Sequence, residues 1–122
     1  MEQTLVNQVY LEQLKSLAHE QNESSFVSHL IDHLEFEYRD ILNHEFIFFD
    51  DGRIFEEEIL YCLHRLKNSF SNLGAEPASV LLDQIHHAVE DHKICDQDIS
   101  NLWKQFRATA DRTIEQLGHL KE

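Results

Sequence analysis

The chain has 122 residues, one domain's worth, and with 42% hydrophobic and 27% charged side chains it can bury a core and is not compositionally disordered. Ten Lys plus Arg against 23 Asp plus Glu give a formal net charge of −13, which repels phosphate backbones and anionic bilayers and argues against nucleic acid or a membrane as partner. Three Gly and one Pro are too few for the tight turns of an all-β domain and favour long helices.

Met1-Glu2-Gln3-Thr4 opens the chain without an apolar h-region, and no segment nears the roughly 20 apolar residues of a spanning helix. Val6, Tyr10, Leu14 and Leu17, spaced by four, four and three, predict a short first helix. Val27, Ile31, Leu34, Tyr38, Ile41 and Leu42 predict a second, with Asn22 or Ser24 as its cap and Glu23 in its first turn. Asp32, Glu35, Arg39 and Asp40 fall on the wet side of this helix, and His33 and Glu37 are read as belonging mainly to it. Glu45 to Gly52, with Phe46, Phe48 and Phe49, is too apolar for an ordinary loop: an aromatic plug over one end, an exposed partner or dimer patch, or a short strand each fit it.

A third helix is expected over about 53–73 on Ile59, Leu63 (or Cys62), Leu66, Phe70 and Leu73, with Gly74 as its left-handed stop. Pro77 suits the first turn of a fourth helix carried by Ala78, Leu81, Leu82, Ile85, Ala88, Val89 and His92. Asp96 or Asp98 can cap a fifth, carried by Ile99, Leu102, Trp103, Phe106, Ala110, Thr113, Leu117 and Leu120. Short connections at about 74–77 and 90–97 make consecutive helices antiparallel. The expectation is one all-α domain over 1–122: an antiparallel four-helix bundle with an additional short N-terminal helix. Cys62 and Cys95 form no C-x-x-C pair and read as thiols of a reducing compartment, which places the domain in the cytoplasm, and in the nucleus as well if the source is eukaryotic.

Nine histidines bring metal binding to the fore, yet di-metal bundles use paired Glu-x-x-His motifs and the sequence has none; Asp83-x-x-His86 is a single imitation. His29 and His33, and His33 and Glu37, are spaced i, i+4 without a matching set elsewhere, so no metal ligand is assigned. There is no G-x-S-x-G elbow, no Gly-rich phosphate loop and no local catalytic signature at either cysteine, and Glu56-Glu57-Glu58 reads as a solvated run.

The stretch from His64 to Ala75 is different. With Leu63 facing the core, His64 lies about 100° around the helix at the rim or beyond, and Lys67, Asn68 and Ser71 share its stripe. Arg65 and Lys67, with Arg53, concentrate positive charge in an acidic chain. A neutral imidazole is a competent nucleophile, phosphoryl transfer asks mainly for positioning and charge compensation, and Lys67 is placed to neutralise part of a phosphate. An ordinary polar helix face has the same spacing.

His64, Leu66, Lys67, Ser69, Ser71, Gly74 and Ala75 match, in register, the signature of histidine-containing phosphotransfer (HPt) domains, and the helix over Ser25 to Asn43 resembles the corresponding helix of the plant-type members. The resemblance implies a four-helix bundle in a two-component phosphorelay, with His64 as phospho-acceptor through its outward ring nitrogen and Lys67 steadying the phosphate. Arg65, Asn68 and Ser71 would line the receiver-docking surface. The implied partners are the receiver domain of a hybrid histidine kinase as donor and a response regulator as acceptor. No cofactor is implied for this chain, since Mg²⁺ belongs to the partner's receiver pocket; nor is a kinase or hydrolase site of its own, and a monomer is expected. The sequence departs from the family at Asn68, where Gly is usual, and at Phe70, where a small residue is usual. Asn68 supports an alternative, an HPt-like adaptor that docks without efficient transfer.

Overall fold

The structure is a computed structural model that describes residues 5–23, 25–43, 56–91 and 96–120, with the backbone alone at 56–59, 91 and 96–98. Among these residues the fold is all-helical: α1 (Gln8–Glu20), α2 (Phe26–Asn43), α3 (Glu56–Asn72), α4 (Glu76–Asp91) and α5 (Asp96–His119). No described helix is long and apolar enough to cross a membrane. The aromatic segment 46–49, Arg53, His92, Cys95 and the side chains of Ser24, Ile59, Asp96 and Asp98 lie outside the described residues.

Helix α1 begins where the Asn7 side chain accepts the Tyr10 backbone N–H at 3.1 Å. Its buried stripe is Leu11 and Ala18, with Leu14 half-buried, and differs from the one expected: Leu17 is exposed, Tyr10 is 38% exposed, and Val6 is buried but precedes the helix. The helix has turned by about one residue because Tyr10 is engaged elsewhere, its hydroxyl donating to the Asn72 carbonyl at 3.2 Å.

The ends of α1 and α3 close alike. Asn22 (φ 60°) and Gly74 (φ 72°) each adopt the left-handed conformation. Asn22 N–H donates to His19 O and Glu23 N–H to Ala18 O; Gly74 N–H donates to Ser71 O and Ala75 N–H to Phe70 O. Both satisfy the last carbonyls in the Schellman pattern. Gly74 thus stops its helix as expected. Asn22 does not cap α2: it terminates α1, and Glu23 lies outside the first turn of α2, its N–H spent on α1 and its carbonyl accepting from Phe26.

The buried faces follow the 3.6-residue period. Val27, Ile31, Leu34, Tyr38 and Ile41 line α2; Leu63, Leu66, Phe70 and Leu73 come from α3 and its end; Ala78, Leu82, Ile85, Ala88 and Val89 from α4; Ile99, Trp103, Phe106, Ala110, Thr113 and Leu117 from α5. They form one cluster centred on Phe106, whose ring meets Phe70 edge-on at 5.7 Å, Tyr38 edge-on at 5.9 Å and Trp103 at 5.2 Å. Fully burying one such side chain is worth about 1.5–3 kcal/mol, which makes this apolar cluster the main support of the fold.

Helix α3 packs most extensively on α4 and α4 on α5, while α2 touches both α3 and α5, and α1 lies on α2. Ser71 meets Ser79 (Oγ to Oγ 2.7 Å) and Lys67 meets Asp83, so numbers rise along α4 as they fall along α3 and the two helices run antiparallel.

Candidate functional site

Sinking Leu63, Leu66 and Phe70 into the core leaves the opposite face of α3 to solvent, and there His64 and Asn68 stand exposed with Tyr61 and Arg65. The Asn68 amide nitrogen lies 3.4 Å from His64 Nε2, one turn along the same stripe. With the amide N–H donating, Nε2 holds the lone pair and the proton resides on Nδ1. At that distance the contact is weak, and a visiting group can displace it.

Lys67 is engaged differently from what its spacing suggests. Its Nζ donates to Asp83 Oδ1 at 2.9 Å, across the α3–α4 seam, with both side chains about two-fifths exposed. The second carboxylate oxygen of Asp83 is 3.6 Å from His87 Nε2. Hydrogen bonding to Lys67, and then the charges of Lys67, His87 and His86, hold the Asp83 carboxyl below the usual carboxylate range. Asp83 is therefore ionised throughout the neutral range. His86 is less exposed than His87, stacks on it at 6.0 Å between centroids, and pairs with Glu90 at 3.2 Å.

Arg65 faces α2. Its guanidinium lies 5.6 Å from the Tyr61 ring centroid and 3.4 Å from Glu37 Oε2. Glu37 is only 6% exposed, which corrects its reading as a wet-side residue; its Oε1 accepts from Ser69 Oγ at 3.0 Å, and His33 also pairs with it. A buried carboxylate needs such partners. Ser71 is exposed, with its hydroxyl committed to Ser79.

No protein-family model matches the chain, and neither does any curated protein or solved structure. The chemistry of the site is carried by its own side chains.

His64, Arg65, Lys67, Asn68 and Ser71 occupy one length of α3, but they do not converge on one point. His64 and Asn68 touch, Arg65 leans to α2, and Lys67 and Ser71 lean to α4. Ser79 carries no sequence motif, and Asp83 and Glu37 stand out in the sequence only as metal-ligand candidates, not as partners of Lys67, Ser69 and Arg65. A signal for two of them exists: Ser71 and Ser79 lie four residues either side of Ala75, and Lys67 and Asp83 eight, as a tight helical hairpin requires. Among the described residues no group of three or more His, Cys, Asp or Glu is placed to hold a metal ion. A surface depression of about 640 Å³ between α4 and α5, lined in part by Leu81, Ala108 and Thr109, contains none of the site residues.

Proposed function

We propose that the chain is a phosphorelay intermediate of the HPt kind, carrying a phosphoryl group on His64 between the receiver domain of a hybrid histidine kinase and that of a response regulator. Helices α2 to α5 are read as its four-helix bundle, supported by the contacts that run from α2 to α3, α4, α5 and back to α2. The observation that carries the reading is the exposed imidazole of His64 on a helix whose other face is buried, with only a weak amide contact described at Nε2.

In the proposed step the Nε2 lone pair attacks the phosphorus of a receiver's aspartyl phosphate. The N–P bond forms as the P–O bond to the aspartyl oxygen breaks, and the bonding pair leaves with the carboxylate. The proton on Nδ1 remains in place. Transfer to the second receiver reverses these bond changes. The receiver supplies the Mg²⁺; this chain supplies the nucleophile, its orientation and the nearby cation of Lys67. Arg65, Asn68 and Ser71 lie on the stretch of helix against which a receiver would dock.

Incubation with a radiolabelled, phosphorylated receiver domain is expected to give an acid-labile, alkali-stable label on the wild-type chain and none on His64→Gln. A label that persists in His64→Gln refutes the assignment. The Asn68 contact favours a second reading, the adaptor without efficient transfer. It predicts receiver binding that is indifferent to His64→Gln, with no label on the wild type.

A further inference from the structure

The Lys67–Asp83 pair bears on how firmly such a carrier holds its phosphate. Lys67 is one turn from His64 and is the cation the proposed chemistry needs, yet its ammonium rests on a carboxylate of the neighbouring helix at 2.9 Å. The second carboxylate oxygen of Asp83 lies 3.6 Å from His87 Nε2, and the Lys67 hydrogen bond keeps Asp83 ionised near neutrality, so the pair is intact there. A phosphoryl group on His64 brings close to two negative charges within one helical turn of Lys67. Two anions then compete for one ammonium, and whatever Asp83 retains is withheld from the phosphate.

We propose that Asp83 is a positioning residue: it tethers Lys67 to α4, weakens charge compensation at phosphorylated His64, and so biases the carrier toward giving its phosphoryl group away. This rests on the phosphorelay reading above. It concerns the equilibrium and not the identity of the acceptor. Asp83→Asn preserves the size of the side chain and a carbonyl acceptor for Lys67 but removes the competing charge.

The test is the equilibrium partition of a radiolabelled phosphoryl group between a receiver domain and this chain, measured in wild type, Asp83→Asn, Lys67→Ala and the double variant. Surface pairs of this exposure are worth a small factor, so Asp83→Asn is expected to raise the ratio of phosphorylated to free His64 about two- to five-fold. Lys67→Ala is expected to lower it. In the Lys67→Ala background, Asp83→Asn is expected to change it less than about 1.5-fold, because the residue acts through the lysine. Asp83→Glu is expected to return the ratio toward wild type.

Equal increases in both backgrounds mean that Asp83 repels the phosphate directly, and they overturn the tethering role. An unchanged partition in Asp83→Asn, with wild type labelled normally, overturns the inference alone. Absence of label on wild type, or label on His64→Gln, overturns the phosphorelay reading and the inference with it.

Discussion

Gly74 closes the helix that bears His64, and replacing it with alanine probes that closure directly. Its φ of 72° is one that L-residues adopt at a cost of about 1–2 kcal/mol. A Cβ there would also stand 2.9 Å from Tyr10 Cδ1, 3.3 Å from Asn7 Cβ and 3.4 Å from Asn7 O. Relief requires the Tyr10 ring to move, which endangers its hydroxyl bond to Asn72 O and the Asn7 N–H bond to Gly74 O at 2.9 Å; losing one such bond costs about 0.5–1.5 kcal/mol. Restricting the unfolded chain returns about 0.4–1 kcal/mol. The net expectation for Gly74→Ala is a destabilisation of roughly 0.5–3 kcal/mol, summed from these ranges. Urea unfolding followed by circular dichroism measures it as a lower midpoint with unchanged slope. Repeating the substitution in Tyr10→Ala removes the shortest contact and is expected to reduce the loss by about 0.5–1 kcal/mol. Equal losses in both backgrounds refute the contribution of the Tyr10 contact, and a Gly74→Ala chain as stable as wild type refutes the whole argument.

Tyr38→Phe deletes a hydroxyl that donates to Asp111 Oδ1 at 2.8 Å, and a loss of about 0.5–1.5 kcal/mol is expected in the same unfolding assay. Burial first, and then the Asp111 hydrogen bond, push the Tyr38 hydroxyl above the ordinary tyrosine range. The unfolded chain therefore ionises first: Tyr38's contribution is intact below about pH 10 and is lost as pH rises beyond it, so Tyr38→Phe is expected to flatten the alkaline fall in stability. Glu37→Ala leaves Ser69 and Arg65 without their common acceptor on α2, and a loss of about 1–3 kcal/mol by thermal or urea unfolding is expected, with Glu37→Gln milder because it keeps an acceptor oxygen. Lys67→Ala is expected to change stability by no more than about 0.5 kcal/mol, less at high salt. Because Lys67 lowers the Asp83 pKa, this contribution is present above the ordinary carboxylate value and disappears as pH falls through the lowered folded one. The same substitution is expected to slow phosphoryl transfer in a receiver assay, and an unchanged rate removes Lys67 from the mechanism.

The helical class and most of the buried face were legible in the sequence because the 3.6-residue period is a local property. Leu63, Leu66, Phe70 and Leu73, or Ile99, Trp103, Phe106 and Ala110, declare their common face by spacing alone. Gly74 was legible for a similar reason, since a left-handed stop selects its residue type. The position of His64 outside the core stripe followed from its offset from Leu63 and Leu66. The apolar pattern of α1 points about one residue away from the buried stripe because Tyr10 counts as apolar in a pattern, whereas its ring lies over Gly74 and its hydroxyl reaches the Asn72 carbonyl at the end of α3. Asn22 suits the start of one helix as well as the end of another, and only the chain path distinguishes them.

The sequence by itself determined most of the apolar face of α2 to α5, where α3 stops, and that an imidazole with a lysine one turn on sits on an outward face. It could not determine what those polar groups hold. Glu37 is buried because Ser69, Arg65 and His33 meet it there, and Lys67 is held by Asp83 because α4 folds back alongside α3. Apolar burial is additive and non-directional, so it can be read from one helix at a time. Hydrogen bonds and ion pairs need a partner at a fixed distance and angle, and here those partners come from other helices brought alongside by packing.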